Sequence, residues 1–213
     1  MSIASNLKVI ISDIPTNVTL VAVSKTKSNS DILAAYNVGQ KVFGENKVQE
    51  LAQKAEELPK DITWHMIGHL QTNKVKFIAP FVSLIHAVDS LKLLQEIDKR
   101  ASQNKRVIDC LLQIHIATES TKFGFGIQEV EKAVEKSKEF KHIKIKGLMA
   151  MATFTDDFEQ INKEFASINE LFKKVKTKEL NTLSIGMSGD YKLAINNGST
   201  MIRVGSAIFG NRN

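Results

Sequence analysis

Cysteine is nearly absent from this 213-residue chain. The single one, Cys110, has no intramolecular partner, so no disulfide framework supports the fold and a reducing compartment is the simpler setting. Cys110 lies in the apolar run Val107 to Ile116 and reads as a small buried hydrophobe. Proline is scarce, at three, and the eleven glycines are scattered singly, which argues against disordered tracts. No hydrophobic run spans a bilayer, and Met1 to Pro15 has neither a basic start nor a long apolar stretch. The expectation is a cytoplasmic protein with no membrane partner. Aromatic residues make up only 7% and do not interleave with the lysines, so the net charge of +6 has no stacking platform beside it. That charge reads as a lysine-rich solvated surface, with no nucleic-acid partner. No G-x-G-x-x-G or G-x-x-x-x-G-K-S/T pattern occurs, which removes the usual nucleotide fingerprints of open sheets.

What the chain does have is alternation. Hydrophobic residues make up 43%, enough for a real core, and they fall in short runs separated by longer amphipathic stretches. Eight runs read as strands: Thr19 to Ser24, Lys41 to Gly44, Ile62 to Gly68, Ser83 to Val88, Val107 to Ile116, Ile143 to Met151, Thr182 to Gly186 and Met201 to Gly205. Several are almost continuously apolar, as in parallel strands covered on both faces. Helices fit between them. Ser28 caps one that carries Ile32, Leu33, Tyr36 and Val38 and stops at Gly39. Asn46 opens a second, with Val48, Leu51, Ala52 and Ala55 on one face and Gln49 placed for a capping box. Ser90 opens another, with Leu91, Leu94 and Ile97. Ile127, Val130 and Val134 mark the next. The longest runs from about Asp156 to Val175 with Phe158, Ile161, Phe165, Ile168 and Phe172 in step. A short helix follows Ser188, and Leu7 to Ile11 forms an extra one before the first strand. Eight strand–helix repeats predict one domain over 1–213, a closed (β/α)8 TIM-type barrel, with a doubly wound open sheet as the alternative.

A barrel of this type places its site at the C-terminal ends of the strands, with phosphate often held after strands seven and eight. There the chain has Gly186-Met187-Ser188-Gly189-Asp190 and Arg203-Val204-Gly205-Ser206-Ala207. Alone, the first reads as a helix cap and the second as a turn. Together, at both phosphate positions, they favour an anion cup. Strand one ends Val21-Ala22-Val23-Ser24-Lys25, and alternation puts Val21, Val23 and Lys25 on one face. A lone strand-end lysine usually reaches solvent. With the valines inside the barrel, Lys25 projects into the mouth, where partial desolvation makes its amine a nucleophile toward carbonyls. Arg203, in phase with Met201 and Gly205, points inward and needs either a carboxylate or a ligand as partner. An arginine facing a pyridine nitrogen is one known pairing for pyridoxal phosphate. His65, His69 and His86 raise a metal reading, but no H-E-x-x-H occurs, and His69 is expected to be structural or part of the site wall.

Seven segments, in order along nearly the whole chain, carry a family likeness: LVAVSKTK (20–27), VFGENKVQE (42–50), WHMIGHLQTNK (64–74), HAVDS (86–90), KGLMAM (146–151), LSIGMSGD (183–190) and GSTMIRVGSAIFG (198–210). The sequence resembles the pyridoxal phosphate homeostasis proteins, which look like the N-terminal barrel of alanine racemase. The resemblance implies pyridoxal 5′-phosphate held as a Schiff base on Lys25. It implies a phosphate held by Ser188, Gly205 and Ser206, Arg203 facing the pyridine nitrogen, and Asn46 near the cofactor. Three positions depart from the family pattern. Ser206 stands where threonine is common, Gly189 where an acidic residue is frequent, and His115 where asparagine is usual.

The expected role is cofactor homeostasis without turnover, with pyridoxal phosphate-dependent apo-enzymes as possible recipients and a monomeric state. In alanine racemase a second domain supplies a tyrosine opposite the lysine. Here the chain ends at Asn213, and its two tyrosines, Tyr36 and Tyr191, fall on predicted helices. Arg203 opposite the ring nitrogen would also disfavour ring protonation and weaken the electron sink. An amino-acid racemase, or an aldolase using the same lysine on a sugar phosphate, is the alternative.

Overall fold

A computed structural model describes residues 2–117 and 123–210. Its strands are β1 (Thr19–Val23), β2 (Val42–Glu45), β3 (Thr63–Met66), β4 (Leu84–Val88), β5 (Ile108–Ile114), β6 (Ile143–Ala150), β7 (Thr182–Ser184) and β8 (Met201–Val204). They run parallel in chain order and close into a barrel. Pairing of β1 with β8, from Thr19 opposite Met201 to Ala22 opposite Val204, closes the ring and excludes the open sheet. Most of the strands stop before the apolar runs do. Ser24, Ile67, Gly68, Met151, Gly186 and Gly205 fall just past the strand ends, where Ile67, Met151 and Gly205 line the barrel mouth.

Strand parity divides the core in two. Val21, Leu84, Leu111, Met149 and Met201 pack together inside the barrel. Leu20, Ala22, Phe43, Cys110 and Leu112 belong to the larger layer between sheet and helices. Cys110 is fully buried, and burial pushes its thiol well above the usual range. Strand β6 carries a bulge. Cys110 of β5 aligns with Ile145, but Leu111 aligns with Gly147, so Lys146 is skipped.

The helices that cover the sheet are α1 (Ile3–Asp13), α2 (Asn29–Tyr36), α3 (Val48–Glu57), α4 (Val75–Ile78), α5 (Leu91–Gln103), α6 (Val130–Ser137), α7 (Phe158–Val175), α8 (Tyr191–Asn196) and α9 (Ser206–Phe209). Ser28 caps α2 in a reciprocal box with Asp31, and Ser90 caps α5. In α7, Ile161, Phe165, Ile168, Leu171 and Phe172 face the core, each worth about 1.5–3 kcal/mol of burial. Asp157 accepts from the Glu159 and Gln160 amides and fixes where this helix starts.

Local boundaries differ from the sequence expectation in instructive ways. Phe158 is exposed, because it precedes the first turn of α7 that reaches the sheet. Ile127 is exposed in a 3-10 turn ahead of α6. Val38 lies beyond the end of α2, which Gly39 terminates at φ +103°. Asn46 does not cap α3. The cap position is Lys47, without a side-chain bond, and Asn46 is still part of the strand-end segment that faces the mouth. Gly68 presses on its backbone. A Cβ at Gly68 would sit 2.4 Å from the Asn46 carbonyl oxygen, so only glycine fits there.

Candidate functional site at the barrel mouth

The C-terminal ends of the strands surround a cleft of about 390 Å³. Lys25, Asn46, Ser188, Arg203, Gly205 and Ser206, the six residues singled out from sequence, all line it. They come from four separate parts of the chain, and barrel closure alone brings the first strand beside the last.

Lys25 sits in a tight turn after β1. The Lys27 amide donates to the Ser24 carbonyl at 3.0 Å, and Thr26 is left-handed at φ +64°. Val23 lines the cleft with Lys25, as strand parity requires. Lys27 also lines it, and its ammonium donates to the carbonyls of Phe209 and Gly210 at 3.1 and 3.3 Å.

Arg203 lies at the floor, only 4% exposed. Its guanidinium donates to Ser184 O, Ser184 Oγ and Ala150 O at 2.7, 2.6 and 3.0 Å. All three are neutral acceptors, so a carboxylate, the structural partner weighed from sequence, is not what fixes the side chain. Burial lowers its pKa to about 10, with Asp190 pulling the other way, so it is cationic at neutral pH. Ser184 continues the chain of contacts. It bonds His86 Nδ1 at 3.1 Å, and His86 Nε2 bonds His65 Nδ1 at 3.0 Å. Burial lowers the His65 pKa to about 3 and that of His86 well below its usual value, with His65 and Arg203 adding repulsion. Both rings are neutral and form a polar spine across the barrel interior under Arg203.

The loops after β7 and β8 meet at Ser188. Its Oγ accepts from the Gly205 and Ala207 amides at 3.1 and 3.4 Å. Ser188 therefore ties two loops together and is not the cap of α8, whose cap position is Asp190. The Asp190 carboxylate instead accepts the Met187 amide. Burial raises the Asp190 pKa, with the Met187 amide and Arg203 lowering it. Helix α8 has six residues and α9 four, so their dipoles are weak. Anion binding here would rest on individual loop N–H and O–H groups. Gly205 has φ −120°, and a Cβ on it would lie 3.3 Å from Val23, so its smallness serves packing against β1.

Sequence reasoning missed Lys27, Ile67, Met151 and Met187, which also line the cleft. Lys27 was legible as a second amine two residues from Lys25. The other three are apolar residues that only the folded geometry separates from the core. His69 lies elsewhere, paired with Asp89 at 3.1 Å and stacked on Phe123 with ring centroids 4.0 Å apart. His115 bonds the Ala117 carbonyl at 2.8 Å through Nε2, which gives that departure a local role in the turn after β5. Among the described residues, no three His, Cys, Asp or Glu side chains gather as a metal site.

The alanine racemase N-terminal domain family matches the chain over residues 1–213. A pyridoxal phosphate homeostasis protein of Helicobacter pylori is 42% identical over 197 residues, 90% of this chain and 87% of the relative. One from Aquifex aeolicus is 39% identical over 198 residues, covering 91% and 86%. The chain belongs to the pyridoxal phosphate homeostasis family. PipY of Synechococcus elongatus, solved without pyridoxal phosphate, superposes with a TM-score of 0.92 at 34% identity, over 98% of this chain and all of PipY. PipY with pyridoxal phosphate bound gives 0.89 at 33% identity, with the same coverage. Alanine racemase of Bartonella henselae, at 17% identity, shares the fold with a TM-score of 0.78 over 98% of this chain and 58% of the racemase.

Proposed function

We propose that this chain binds pyridoxal 5′-phosphate in the cleft, with Lys25 as its covalent anchor, and serves as a non-catalytic carrier in pyridoxal phosphate homeostasis. The carrying observation is the convergence of a lysine amine, a buried arginine and two small-residue loops on one cleft. The chemistry fits. Lys25 is half-buried at the rim, where its amine can meet an aldehyde. Arg203 is a buried cation held by neutral acceptors, suited to face a pyridine nitrogen and to keep it unprotonated. Ser188, Gly205 and Ser206 form the wall where a phosphate would sit, and Asn46 forms the wall beside Lys25. When bound, the cofactor supplies a carbonyl for the amine and an electron-withdrawing ring. PipY, of the same fold, has been solved with pyridoxal phosphate bound.

The non-catalytic reading is supported by where the two tyrosines lie. Proton transfer on both faces of a substrate needs a second acid or base opposite the lysine. Neither tyrosine reaches the cleft. Tyr36 donates to Asp61 and Tyr191 to Asp13, both on the outer surface of the barrel. The names of the relatives agree. A monomeric cytoplasmic carrier built from the whole 1–213 barrel, delivering cofactor to apo-enzymes, completes the proposal. No helix among the described residues is long and apolar enough to cross a membrane.

The test is borohydride reduction of the protein mixed with pyridoxal phosphate, followed by peptide mass spectrometry. The expected label is on Lys25, and Lys25→Ala should lose it while keeping its circular dichroism spectrum. A label that persists in Lys25→Ala would place the anchor elsewhere, with Lys27 the first residue to examine. Amino-acid racemisation by the purified chain, or trapping only with a sugar phosphate, would overturn the carrier reading.

A further inference from the structure

Behind Lys25, on the outer side of the sheet, lies a buried ionic cluster that the cofactor reading leaves without a role. Lys54, on the core face of α3, is buried, and its ammonium reaches three acceptors. These are Ser24 O at 2.8 Å, Glu45 Oε1 at 2.8 Å and Glu50 Oε1 at 2.7 Å. The Ser24 hydroxyl donates to the same Glu45 oxygen at 2.6 Å. The Thr26 amide donates to Glu50 Oε1 at 2.6 Å. Glu45 is fully buried, and its Oε2 has no hydrogen-bond partner among the described residues. Burying the Lys54–Glu45 pair, with Glu50 half-buried beside it, is expensive, and an apolar cluster would stabilise the barrel as well or better. A structural role for the cluster is therefore a weak explanation of it.

Its contacts point to another. They fall on the residues on either side of Lys25. Ser24 O also accepts the Lys27 amide, so Ser24 to Lys27 is a β-turn with Lys25 and Thr26 as its central pair. Thr26 has φ +64° while Lys25 does not have positive φ, which is the pattern of a type II turn. That turn asks for glycine at the position Thr26 occupies, and a β-branched residue there is strained. The Glu50 carboxylate holds the strained amide directly, and Lys54 holds the carbonyl that opens the turn.

We infer that Glu50 and Lys54, seated by Glu45, are positioning residues that hold the Lys25 turn in the conformation that presents its amine to the cleft. This rests on Lys25 being the covalent anchor. Removing the Glu50 carboxylate frees the Thr26 amide and lets the turn relax away from φ +64°, carrying Lys25 with it. A glycine at position 26 adopts that φ without help, so it makes the clamp dispensable.

The experiment is a double-mutant cycle on the full chain, using pyridoxal 5′-phosphate as the probe. Glu50 is partly exposed, and its loss leaves Lys54 paired with Glu45, so the variants should fold. Covalent attachment is read from borohydride-fixed label on Lys25 as cofactor concentration is varied, with thermal unfolding followed in parallel. Glu50→Ala should weaken attachment about tenfold, the loss of one charge-assisted hydrogen bond. Glu50→Gln, which keeps an acceptor for the Thr26 amide, should recover most of it. Thr26→Gly should attach normally, and Glu50→Ala with Thr26→Gly should return to within about threefold of the parent. Attachment in Glu50→Ala equal to the parent overturns the inference. So does a loss that glycine at 26 fails to restore, or one that follows thermal stability alone. If Glu50→Ala does not fold, loss of attachment in folded Glu50→Gln with no recovery by Thr26→Gly is the overturning result. A parent protein unlabelled at Lys25 would instead refute the anchor itself, a distinct outcome.

Discussion

At the scale of single residues, Arg203 shows how a side chain read as a ligand contact can also belong to the frame. Sequence parity placed it inside the barrel and left its partner open. The structure gives it three neutral acceptors, at Ser184 and Ala150, and links Ser184 onward to His86 and His65. Arg203→Ala would therefore strand buried carbonyl and hydroxyl groups and open a cavity. The expected cost is about 3 kcal/mol or more of stability, together with loss of cofactor retention. Urea denaturation of the variant checks this, and an unchanged midpoint would mean that water replaces the guanidinium at no cost. Lys25 was legible because strand alternation carries through Val21 and Val23 to the rim. Lys54 was not. At helical spacing it falls among Val48, Leu51 and Ala55, and only the packing of α3 on β2 shows that its ammonium ends inside.

At the scale of elements, strand and helix identity followed directly from apolar periodicity, while local irregularities did not. The bulge in β6 is one. Gly147 packs so closely against β7 that a Cβ would lie 1.7 Å from the Thr182 carbonyl oxygen. Gly147→Ala should cost about 3 kcal/mol or more, since neither backbone can yield without breaking the ladder. Calorimetry measures it, and a loss below about 1 kcal/mol would mean that the bulge can migrate. The element ends behave alike. Asn46 carries a good capping signature, with Gln49 three residues on, yet the close approach of Gly68 keeps it at the strand end. Ser188 likewise has a cap's composition but spends its oxygen on the Gly205 and Ala207 amides. In both cases a contact distant in sequence outcompetes a local hydrogen bond that propensity alone favours.

At the scale of the whole molecule, the polar spine inside the barrel ties stability to pH. His65 has a usual pKa of 6.5 when unfolded and about 3 when folded, and His86 is shifted the same way. Between those values the unfolded chain binds protons that the folded chain does not. Stability is therefore full above about pH 6.5 and falls as pH drops toward 3, by up to about 1.4 kcal/mol per pH unit for each histidine. Urea titrations between pH 7 and 5 should show this decline, and His65→Gln should flatten it by about one proton. A variant with the parental slope would show that His65 is protonated in the folded state. The same neutral spine sets no second cation beside Arg203 among the described residues.

The sequence by itself determined the eight-strand order, the two faces of each strand and the end of the barrel where chemistry can occur. Those are consequences of period-two and period-3.6 burial, which adjacent residues encode locally. It also marked six residues whose positions converge. Only the tertiary structure decided that Ser188 bridges two loops, that Asn46 does not cap α3, and that Lys54 and Glu50 grip the turn carrying Lys25. The reason is physical. Those outcomes depend on the distance between groups 17 to 30 residues apart, which closure of the ring sets and no local pattern records.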